Sequence, residues 1–427
     1  MTVALLTIAV ILMLYGAVSR PLDARGVTSA MVFTATGVLV GTTVLDLVGV
    51  EIETTTAERF CELALVLLLF SDATRIDLAG LRGHLVWPSR LLLVGLPLTM
   101  LAGIAAGLLV FPGIALASAF VLSTMLCSTD AALGQRVVSD PAVPERVRQA
   151  LDVESGLNDG LGVPFFLVAV DLSLAELSGG VTSAVLTNMA EQIGWGLAAG
   201  VGAGVLGGVL LRVSDGRGWL EDQWRQIMPL MAALLAYLIA LQLGGSGFIA
   251  AFTGGMAFGQ ASRRHDLPVT SVNENVGGVL AGATWIAFGA LAVGTLIPHV
   301  TWQIALYAVL SLTVVRMVPV AIAFAGTGAK LQTVAFMGWF GPRGLASIVF
   351  ALIALESGIP DSQLLLTTVM LTILLSVVLH GLSSVPLIAA YSGWYARYTT
   401  AHPATSETQP TKMSRLRRQA RAGEPNG

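Results

Sequence analysis

The sequence predicts an all-α membrane protein with about 13 transmembrane helices, arranged as two inverted six-helix repeats. Three observations support this prediction: an apolar composition, a series of long apolar segments, and the placement of the few charged residues. Of the 427 residues, 55% are hydrophobic and 11% are charged, and the mean hydropathy is +0.79. The surface of a water-soluble globule cannot cover so much apolar chain, so lipid is the expected solvent.

Thirteen apolar segments follow one another along the chain. About 20 helical residues cross the hydrocarbon layer of roughly 30 Å, and most of these segments approach that length. The first segment lacks the basic stretch that opens a signal peptide, so we count it as a span. The predicted spans, numbered 1 to 13 in order, are 3–18, 28–48, 60–76, 91–111, 114–137, 147–170, 193–213, 227–243, 248–259, 276–297, 304–324, 334–355 and 364–389.

Positive charges define the predicted orientation. With the N terminus outside the cell, the connections after odd-numbered spans, the span ends beside them and the C-terminal tail are cytoplasmic, and they hold all but three of the 23 Lys and Arg residues. This distribution follows the positive-inside rule and predicts a multi-pass cell-membrane protein with a cytoplasmic C terminus. Arg59 lies in an outside connection, whereas Arg316 and Arg343 lie inside spans 11 and 12. The polar, basic segment 396–427 is predicted to be a disordered tail.

Two aspartates in the first half reach the middle of the membrane. Asp130 in span 5 and Asp159 in span 6 flank a charged, Pro-containing turn, and the helical rise carries both to mid-membrane depth. A charge there costs roughly 2.5 to 3.5 kcal/mol on insertion scales, so intramembrane acids usually handle ions or protons. Arg316 and Arg343 lie at a similar depth on either side of Lys330. We therefore expect acids of one half to pair with arginines of the other.

Spans 5 and 12 contain sequence that opposes a continuous helix. Three glycines and a proline interrupt span 12 over residues 338–344, and the polar run 128–130 competes for backbone hydrogen bonds in span 5. These breaks are seven spans apart, so span 7 would link two six-helix repeats. Inverted repeats whose broken helices meet at mid-membrane are typical of secondary transporters.

The motifs resemble those of the monovalent cation/proton antiporters, specifically the electroneutral sodium/proton exchanger branch with NhaP-type bacterial members. The resemblance is carried by Thr129-Asp130, by Glu-Ser-Gly-Leu-Asn-Asp-Gly at 154–160, by Arg316 in its apolar span, and by Gly-Pro-Arg-Gly-Leu-Ala-Ser at 341–347. It implies a homodimer without a cofactor. Within the membrane domain 1–395, spans 4–6 and 11–13 would form a transport core that moves against spans 1–3 and 7–10.

The resemblance also implies the site residues. Sodium would be coordinated at Asp130, Ser155 and Asp159, and Glu154 would form a supporting ion pair with Arg316. Gly156 replaces the leucine usual in the family without removing a ligand oxygen. Asn158 stands where the electrogenic branch has a second aspartate, so the exchange is expected to be one for one and electrically silent. The residues expected to bind the cation or the proton are Asp159, Asp130, Ser155, Thr129 and Asn158.

Four further residues have roles that the sequence leaves open. In span 3 the glutamate usual in the family is missing, and either Ser71 or Asp72 can line the cation path in its place. Asp152, one turn before Ser155, can attract cations to the entrance or can be a solvated residue. Arg343 can shape the electrostatics of the site or form a structural pair.

The predicted function is exchange of a monovalent cation, expected to be sodium, for a proton by alternating access. Burial favours the protonated form of a carboxylate, so Asp159 can hold a proton or a cation in turn. This requires neither an enzyme reaction nor a nucleic-acid partner. The alternatives are potassium/proton antiport, sodium-coupled solute symport and an intramembrane aspartyl protease. The protease is disfavoured because Asp130 and Asp159 lack a Gly-x-Gly-Asp context.

Overall fold

The computed structural model describes residues 2–41, 44–45, 54–76, 86–177, 180, 182–262, 271–296, 298–402 and 406–407, which form helices and short connections without a strand. Each of the 13 predicted spans corresponds to one helix or to two half-helices in this part of the chain, so the all-α prediction is confirmed. Seven of the described helices are long and apolar enough to cross a membrane by length and composition, and shorter apolar helices accompany them.

The helices are labelled α1 to α13 in chain order, with a and b for the halves of interrupted ones. They are α1 (Thr2–Ala24), α2 (Ser29–Val40), α3 (Thr54–Thr74), α4 (Val86–Val110), α5a (Leu116–Met125), α5b (Ala131–Ser139), α6 (Glu145–Leu177), α7 (Ser183–Gly216), α8 (Asp222–Gln242), α9 (Gly247–Ser262), α10 (Ser271–Leu296), α11a (Trp302–Leu312), α11b (Val314–Phe324), α12a (Leu331–Trp339), α12b (Leu345–Glu356) and α13 (Ser362–Ala401).

The helices pack as two groups. One group contains α4, α5, α6, α11, α12 and α13, and the other contains α1, α2, α3, α7, α8, α9 and α10. The groups meet where α3 packs against α6 and α12b and where α9 packs against α6. This grouping coincides with the two sets of spans that the resemblance implies. Movement of one set against the other stays a prediction.

Two glycines give α6 a flat face toward the second group. A Cβ on Gly156 would lie 3.5 Å from the Cβ of Asp72 on α3, and Gly160 lies directly against the ring of Phe252 on α9 without room for a Cβ. Because the two glycines are four residues apart, they share one face of α6. The helix that carries the predicted site therefore closely approaches the neighbouring group.

Helices α5 and α12 are interrupted where the sequence predicts it, at 126–130 and at 340–344. The interrupted segments meet, since the Asp130 N–H donates to the Pro342 carbonyl at 2.7 Å. A third interruption at Thr313, between α11a and α11b, is not predicted by the sequence. Thr313 opens a run of three β-branched residues, which lowers helix propensity, and its hydroxyl donates to the Val309 carbonyl at 2.6 Å.

Helix α13 continues past the predicted domain boundary at residue 395 to Ala401, so residues 396–401 are helical and not disordered, while the boundary itself stays a prediction. Rings along its final turns, from Trp394 and Tyr398 to His402, stack on one another and extend the helix into the segment predicted to be disordered. Glu407, 3% exposed, then packs against the first turn of α12a and accepts hydrogen bonds from the Lys330 N–H at 2.8 Å and from the Thr333 hydroxyl at 3.1 Å. The basic run of the tail lies outside the described residues.

Candidate ion-binding site

Asp130 holds together the starts of two half-helices. Its Oδ1 accepts a hydrogen bond from the Leu133 N–H at 2.9 Å, in the first turn of α5b, and its Oδ2 accepts one from the Leu345 N–H at 2.9 Å, at the start of α12b. The first N–H groups of a helix have no partner inside the helix, and the helix dipole favours a negative charge there. Asp130 therefore caps a helix in each half of the chain.

The sequence does not predict this capping role; the resemblance implies coordination of the cation by Asp130. Each carboxylate oxygen already accepts one backbone hydrogen bond, although an ionised carboxylate has about four lone-pair positions in all. Direct coordination by Asp130 stays a prediction. The geometry establishes that its negative charge is placed between two helix N termini.

Arg343 stabilises the opposite kind of helix end. Its side chain is fully buried, and Nη1 donates to the carbonyl oxygens of Cys127 and Ser128, both at 3.0 Å, just beyond the last turn of α5a. A cation is favourable at a helix C terminus, where carbonyl groups lack partners. The expected pairing of acids with both buried arginines is thus wrong for Arg343, because its hydrogen-bonded partners are backbone carbonyls.

Glu154 and Arg316 form the pair that the resemblance implies. Arg316 Nη1 and Nη2 donate to the two Glu154 carboxylate oxygens at 2.5 and 2.9 Å, and the side chains are only 3% and 4% exposed. Bidentate geometry of this kind gives strong, directional hydrogen bonds. Gly341 lies against the guanidinium, where a Cβ would come within 2.5 Å of Nε. The pair therefore connects α6 to α11b beside the break in α12.

Thr129, Ser155 and Asn158 join the break in α5 to α6. The Ser155 hydroxyl donates to the Thr129 carbonyl at 2.6 Å, and the Asn158 amide donates to the Thr129 hydroxyl at 2.6 Å. The Asn158 carbonyl oxygen accepts from the Thr129 N–H at 3.3 Å. Asn158 thus satisfies backbone and side-chain groups that the broken helix leaves free, so its observed contacts brace the site.

Asp159 differs from the other polar residues of the site. It follows Ser155 by one turn of α6, and its Oδ1 is buried without a hydrogen-bond partner among the described residues. A buried carboxylate oxygen in this state is costly unless it gains a proton or a cation. Asp159 is therefore the acid of this site that has a buried carboxylate oxygen without a hydrogen-bond donor among the described residues.

A small cavity lies along α5b and the first half of α6 and reaches the break in α12. Asp152, at the other end of this stretch, is exposed, and Asp159 does not line the cavity. The cavity thus connects an exposed acid to Thr129, Asp130 and Ser155. Its lining residues are Thr129, Asp130, Gly134, Val137, Val138, Leu151, Asp152, Ser155, Phe340 and Pro342.

Ser71 and Asp72 face different helices. The Ser71 hydroxyl donates to Glu274 Oε1 on α10 at 3.2 Å, and Glu274 also forms an ion pair with Arg75. Asp72 faces Gly156 on α6. The structure therefore places Asp72, rather than Ser71, beside the helix that carries Ser155 and Asp159.

Sequence reasoning missed the contribution of α13. Ser376 accepts a hydrogen bond from the Arg343 N–H at 2.7 Å, and His380 contacts the Trp339 carbonyl at 2.9 Å. Both belong to a stripe of buried polar residues spaced four apart in an apolar span, which is a readable sign of an interaction face. The stripe consists of Thr368, Thr372, Ser376, His380 and Ser384.

Comparisons with known proteins agree with this architecture. The sodium proton antiporter MjNhaP1 from Methanocaldococcus jannaschii, solved at pH 8, superposes with a TM-score of 0.72 at 19% identity, over 88% of this chain and 98% of that one. At this identity the likeness shows the fold alone.

Two curated relatives are similar in sequence. The K(+)/H(+) antiporter NhaP of Alkalimonas amylolytica is 27% identical over 76% of this chain and 56% of its own length. The Na(+)/H(+) antiporter of Schizosaccharomyces pombe is 25% identical over 66% of each chain. This chain spans roughly six tenths of the length of the NhaP and NhaP2 relatives that it matches. The family described as "Sodium/hydrogen exchanger, transmembrane" matches residues 6–390, and the chain therefore belongs to the sodium/hydrogen exchanger family.

Proposed function

We propose that the protein exchanges a monovalent cation for a proton by alternating access. The observation that carries this proposal is the buried, unpartnered Oδ1 of Asp159, one turn from the hydroxyl of Ser155. That oxygen needs either a proton or a cation, so the two compete for one carrier. Competition at a site open to one side at a time couples their movements without a chemical reaction.

The charges around Asp159 support a one-for-one exchange. Asp130 is bonded to two helix N termini, Glu154 is paired with Arg316, and Asn158 cannot titrate. Since these three groups stay unchanged through the cycle, Asp159 is the residue among them that gains or loses a positive ion. Loading one cation or one proton gives the same net charge, and the exchange is electroneutral.

Sodium is the proposed cation, with potassium as a second candidate. The Schizosaccharomyces pombe relative and MjNhaP1 are described as sodium antiporters, whereas NhaP of Alkalimonas amylolytica is described as a potassium antiporter. Carboxylate, hydroxyl and carbonyl oxygens at Asp159, Ser155 and Thr129 suit all alkali cations, because selectivity depends on cavity size and rigidity. The relatives' names therefore justify testing both ions.

The cation path is proposed to run from Asp152 to Ser155 and Asp159. Asp152 is exposed at one end of the cavity and would concentrate cations there. Asp72 adds a second carboxylate across the flat face of Gly156. An aspartyl protease is less suitable, because its two carboxylates share a proton, whereas both oxygens of Asp130 are hydrogen-bonded to helix starts.

Alternating access is proposed to use the two helix groups. The group of α4–α6 and α11–α13 would move against the rest, with the small face of Gly156 and Gly160 at the boundary. The interrupted helices α5 and α12 are the fifth helices of α1–α6 and of α8–α13, and this equal position supports two inverted repeats. A homodimer in the cell membrane, with the N terminus outside and the C terminus cytoplasmic, rests on the resemblance and on the charge distribution.

The test is purified protein in liposomes that contain a pH-sensitive dye. Addition of sodium or potassium to vesicles with an acidic interior is expected to drive proton efflux, while choline is the matched cation that cannot exchange. Lithium completes the comparison. Proton movement that does not depend on any alkali cation would contradict the proposal.

A further inference from the structure

His380 on α13 contacts the break in α12 from a buried position. It is 2% exposed, and its Nε2 lies 2.9 Å from the carbonyl oxygen of Trp339, the last residue of α12a. Its Nδ1 lies 3.2 Å from the Ser376 hydroxyl and 3.0 Å from the Ser376 carbonyl. The site described above does not account for this histidine.

Ser376 and His380 together contact both ends of the interrupted segment 340–344. Ser376 accepts from the N–H of Arg343, directly before α12b, and His380 binds Trp339, directly before the segment. The two side chains are one helical turn apart on α13, so they share one face. That face spans the gap between the two half-helices.

Both ring nitrogens of His380 lie within hydrogen-bond distance of a carbonyl oxygen, Nε2 at 2.9 Å from Trp339 and Nδ1 at 3.0 Å from Ser376. Because a carbonyl oxygen can only accept, a proton on Nε2 is donated to Trp339, and Nδ1 also lies 3.2 Å from the Ser376 hydroxyl, which accepts from the Arg343 N–H. A charged ring would place a third positive charge near Arg343 and Arg316. His380 and Ser376 together thus contact the backbone on both sides of the break.

Segment 340–344 is also part of the ion site. Phe340 and Pro342 line the cavity, and the Pro342 carbonyl accepts the N–H of Asp130 at 2.7 Å. Backbone at a helix break has lost the internal hydrogen bonds that would fix its position. Any shift of this segment would therefore be transmitted to Asp130 and to its neighbour Thr129.

We propose that His380 is a positioning residue for ion exchange: it holds the carbonyl end of α12a and, through Ser376, the start of α12b. The histidine does not touch the cation. It fixes the broken helix that presents Pro342 to Asp130 and so sets the geometry of the cation ligands. This inference rests on the exchange proposed above.

Two substitutions separate this role from general packing. His380→Gln keeps a side-chain N–H near the place of Nε2, whereas His380→Asn is shorter and keeps only the polar atom beside Ser376. We expect His380→Asn and His380→Ala to raise the half-saturating cation concentration by about fivefold or more, the effect of one net hydrogen bond. His380→Gln should stay within about twofold of the unsubstituted protein. The maximal rate should change less than the half-saturating concentration in each case.

The matched control is His402→Gln, at the exposed end of α13, where the ring contacts the Tyr398 carbonyl and ring. It should leave both kinetic constants unchanged. The assay is alkali-cation-driven proton efflux from liposomes, with cation-dependent thermal stabilisation of the purified variants as a second measurement of binding. If His380→Ala does not fold, the comparison of the glutamine and asparagine variants tests the positioning role.

The outcomes distinguish this inference from the proposed function. Lack of exchange by the unsubstituted protein would overturn the proposed function. Exchange by that protein, combined with equal defects in the glutamine and asparagine variants, would overturn the positioning role. Unchanged half-saturation in all three variants would overturn it as well. Rescue by glutamine alone, in both transport and thermal stabilisation, is the expected result.

Discussion

Removal of Glu154 is expected to destabilise the protein far more than removal of a surface acid. In Glu154→Ala, the Arg316 guanidinium stays buried, and its Nη1 and Nη2 lose the carboxylate that accepts from them at 2.5 and 2.9 Å. Its Nε already has no hydrogen-bond partner within the described residues. The variant therefore leaves a complete positive charge without compensation next to the break in α12.

The expected cost follows from the geometry of the pair. Two charge-assisted hydrogen bonds are worth about 1.5 to 3 kcal/mol each, and breaking one partner of a buried ion pair typically costs about 3 to 5 kcal/mol. Because the Glu154 and Arg316 side chains are 4% and 3% exposed, solvent cannot replace the lost contact. The ratio of folded to unfolded protein should fall between about 100-fold and a few thousandfold.

A double-mutant cycle measures this coupling. The free energy of unfolding is measured in detergent micelles by denaturant titration with tryptophan fluorescence, for Glu154→Met, Arg316→Met and the double variant. The double variant removes both charges, so it should be much more stable than the sum of the single losses predicts.

The control for this cycle is the ion pair of Arg225 with Asp222, at 2.6 Å, in which the Asp222 side chain is 87% exposed. Asp222→Asn should cost no more than about 1 kcal/mol. Single effects at Glu154 and Arg316 that simply add, or a loss no larger than that of Asp222→Asn, would refute the reasoning.

Three further predictions concern the ion site and the tail. Asp159→Asn should abolish exchange in liposomes while the protein elutes normally from a sizing column, because the amide cannot hold a proton or a cation charge; retained coupled transport would contradict this. Gly156→Ala should be tolerated, since a Cβ there has ordinary contact with Asp72 at 3.5 Å. Gly156→Leu should lower the free energy of unfolding by about 1 to 3 kcal/mol through overpacking. Equal free energies of unfolding for the alanine and leucine variants would contradict this prediction. Burial raises the pKa of Glu407, but the hydrogen bonds that it accepts lower it further, so its pKa is below the usual value. Its docking should therefore be complete above the ordinary glutamate pKa of about 4.3 and be lost as the pH falls below it; an acid-active protease should cleave the tail faster at lower pH, and Glu407→Gln should remove that dependence.

The sequence predicts those parts of the site that depend on local chemistry. The glycines and proline at 338–344 cannot support a regular helix, so the break in α12 is readable without any tertiary information. Buried charges in apolar spans are equally visible, and each of them needs a partner. Family resemblance supplies the pairing itself.

Tertiary encounters explain what the sequence leaves unpredicted. Asp130 caps α12b only because residues 215 positions away in the chain begin a helix beside it. Arg343 donates to backbone carbonyls rather than to a carboxylate because the fold places the end of α5a beside its guanidinium group. Glu407 belongs to a polar segment whose composition favours disorder, yet it accepts the N–H of Lys330, the residue directly before α12a. In each case the deciding partner is a helix end, which composition does not reveal.

The helix ends also explain how one acid can serve as the carrier among several buried charges. Asp130 compensates two N termini, Arg343 compensates the end of α5a, and His380 contacts the end of α12a. These groups are committed to backbone partners, so a change in their charge would expose unpaired helix ends in the membrane interior. Asp159 has no such commitment at Oδ1. Among the charged groups at the helix breaks, Asp159 is therefore the one whose charge can vary, and the number of ions moved in a cycle should follow from that. Liposomes clamped at several membrane potentials test this, because a net charge would feel about 2.3 kcal/mol per 100 mV and shift the transport end point roughly fortyfold. An end point that does not move with potential is the expected result.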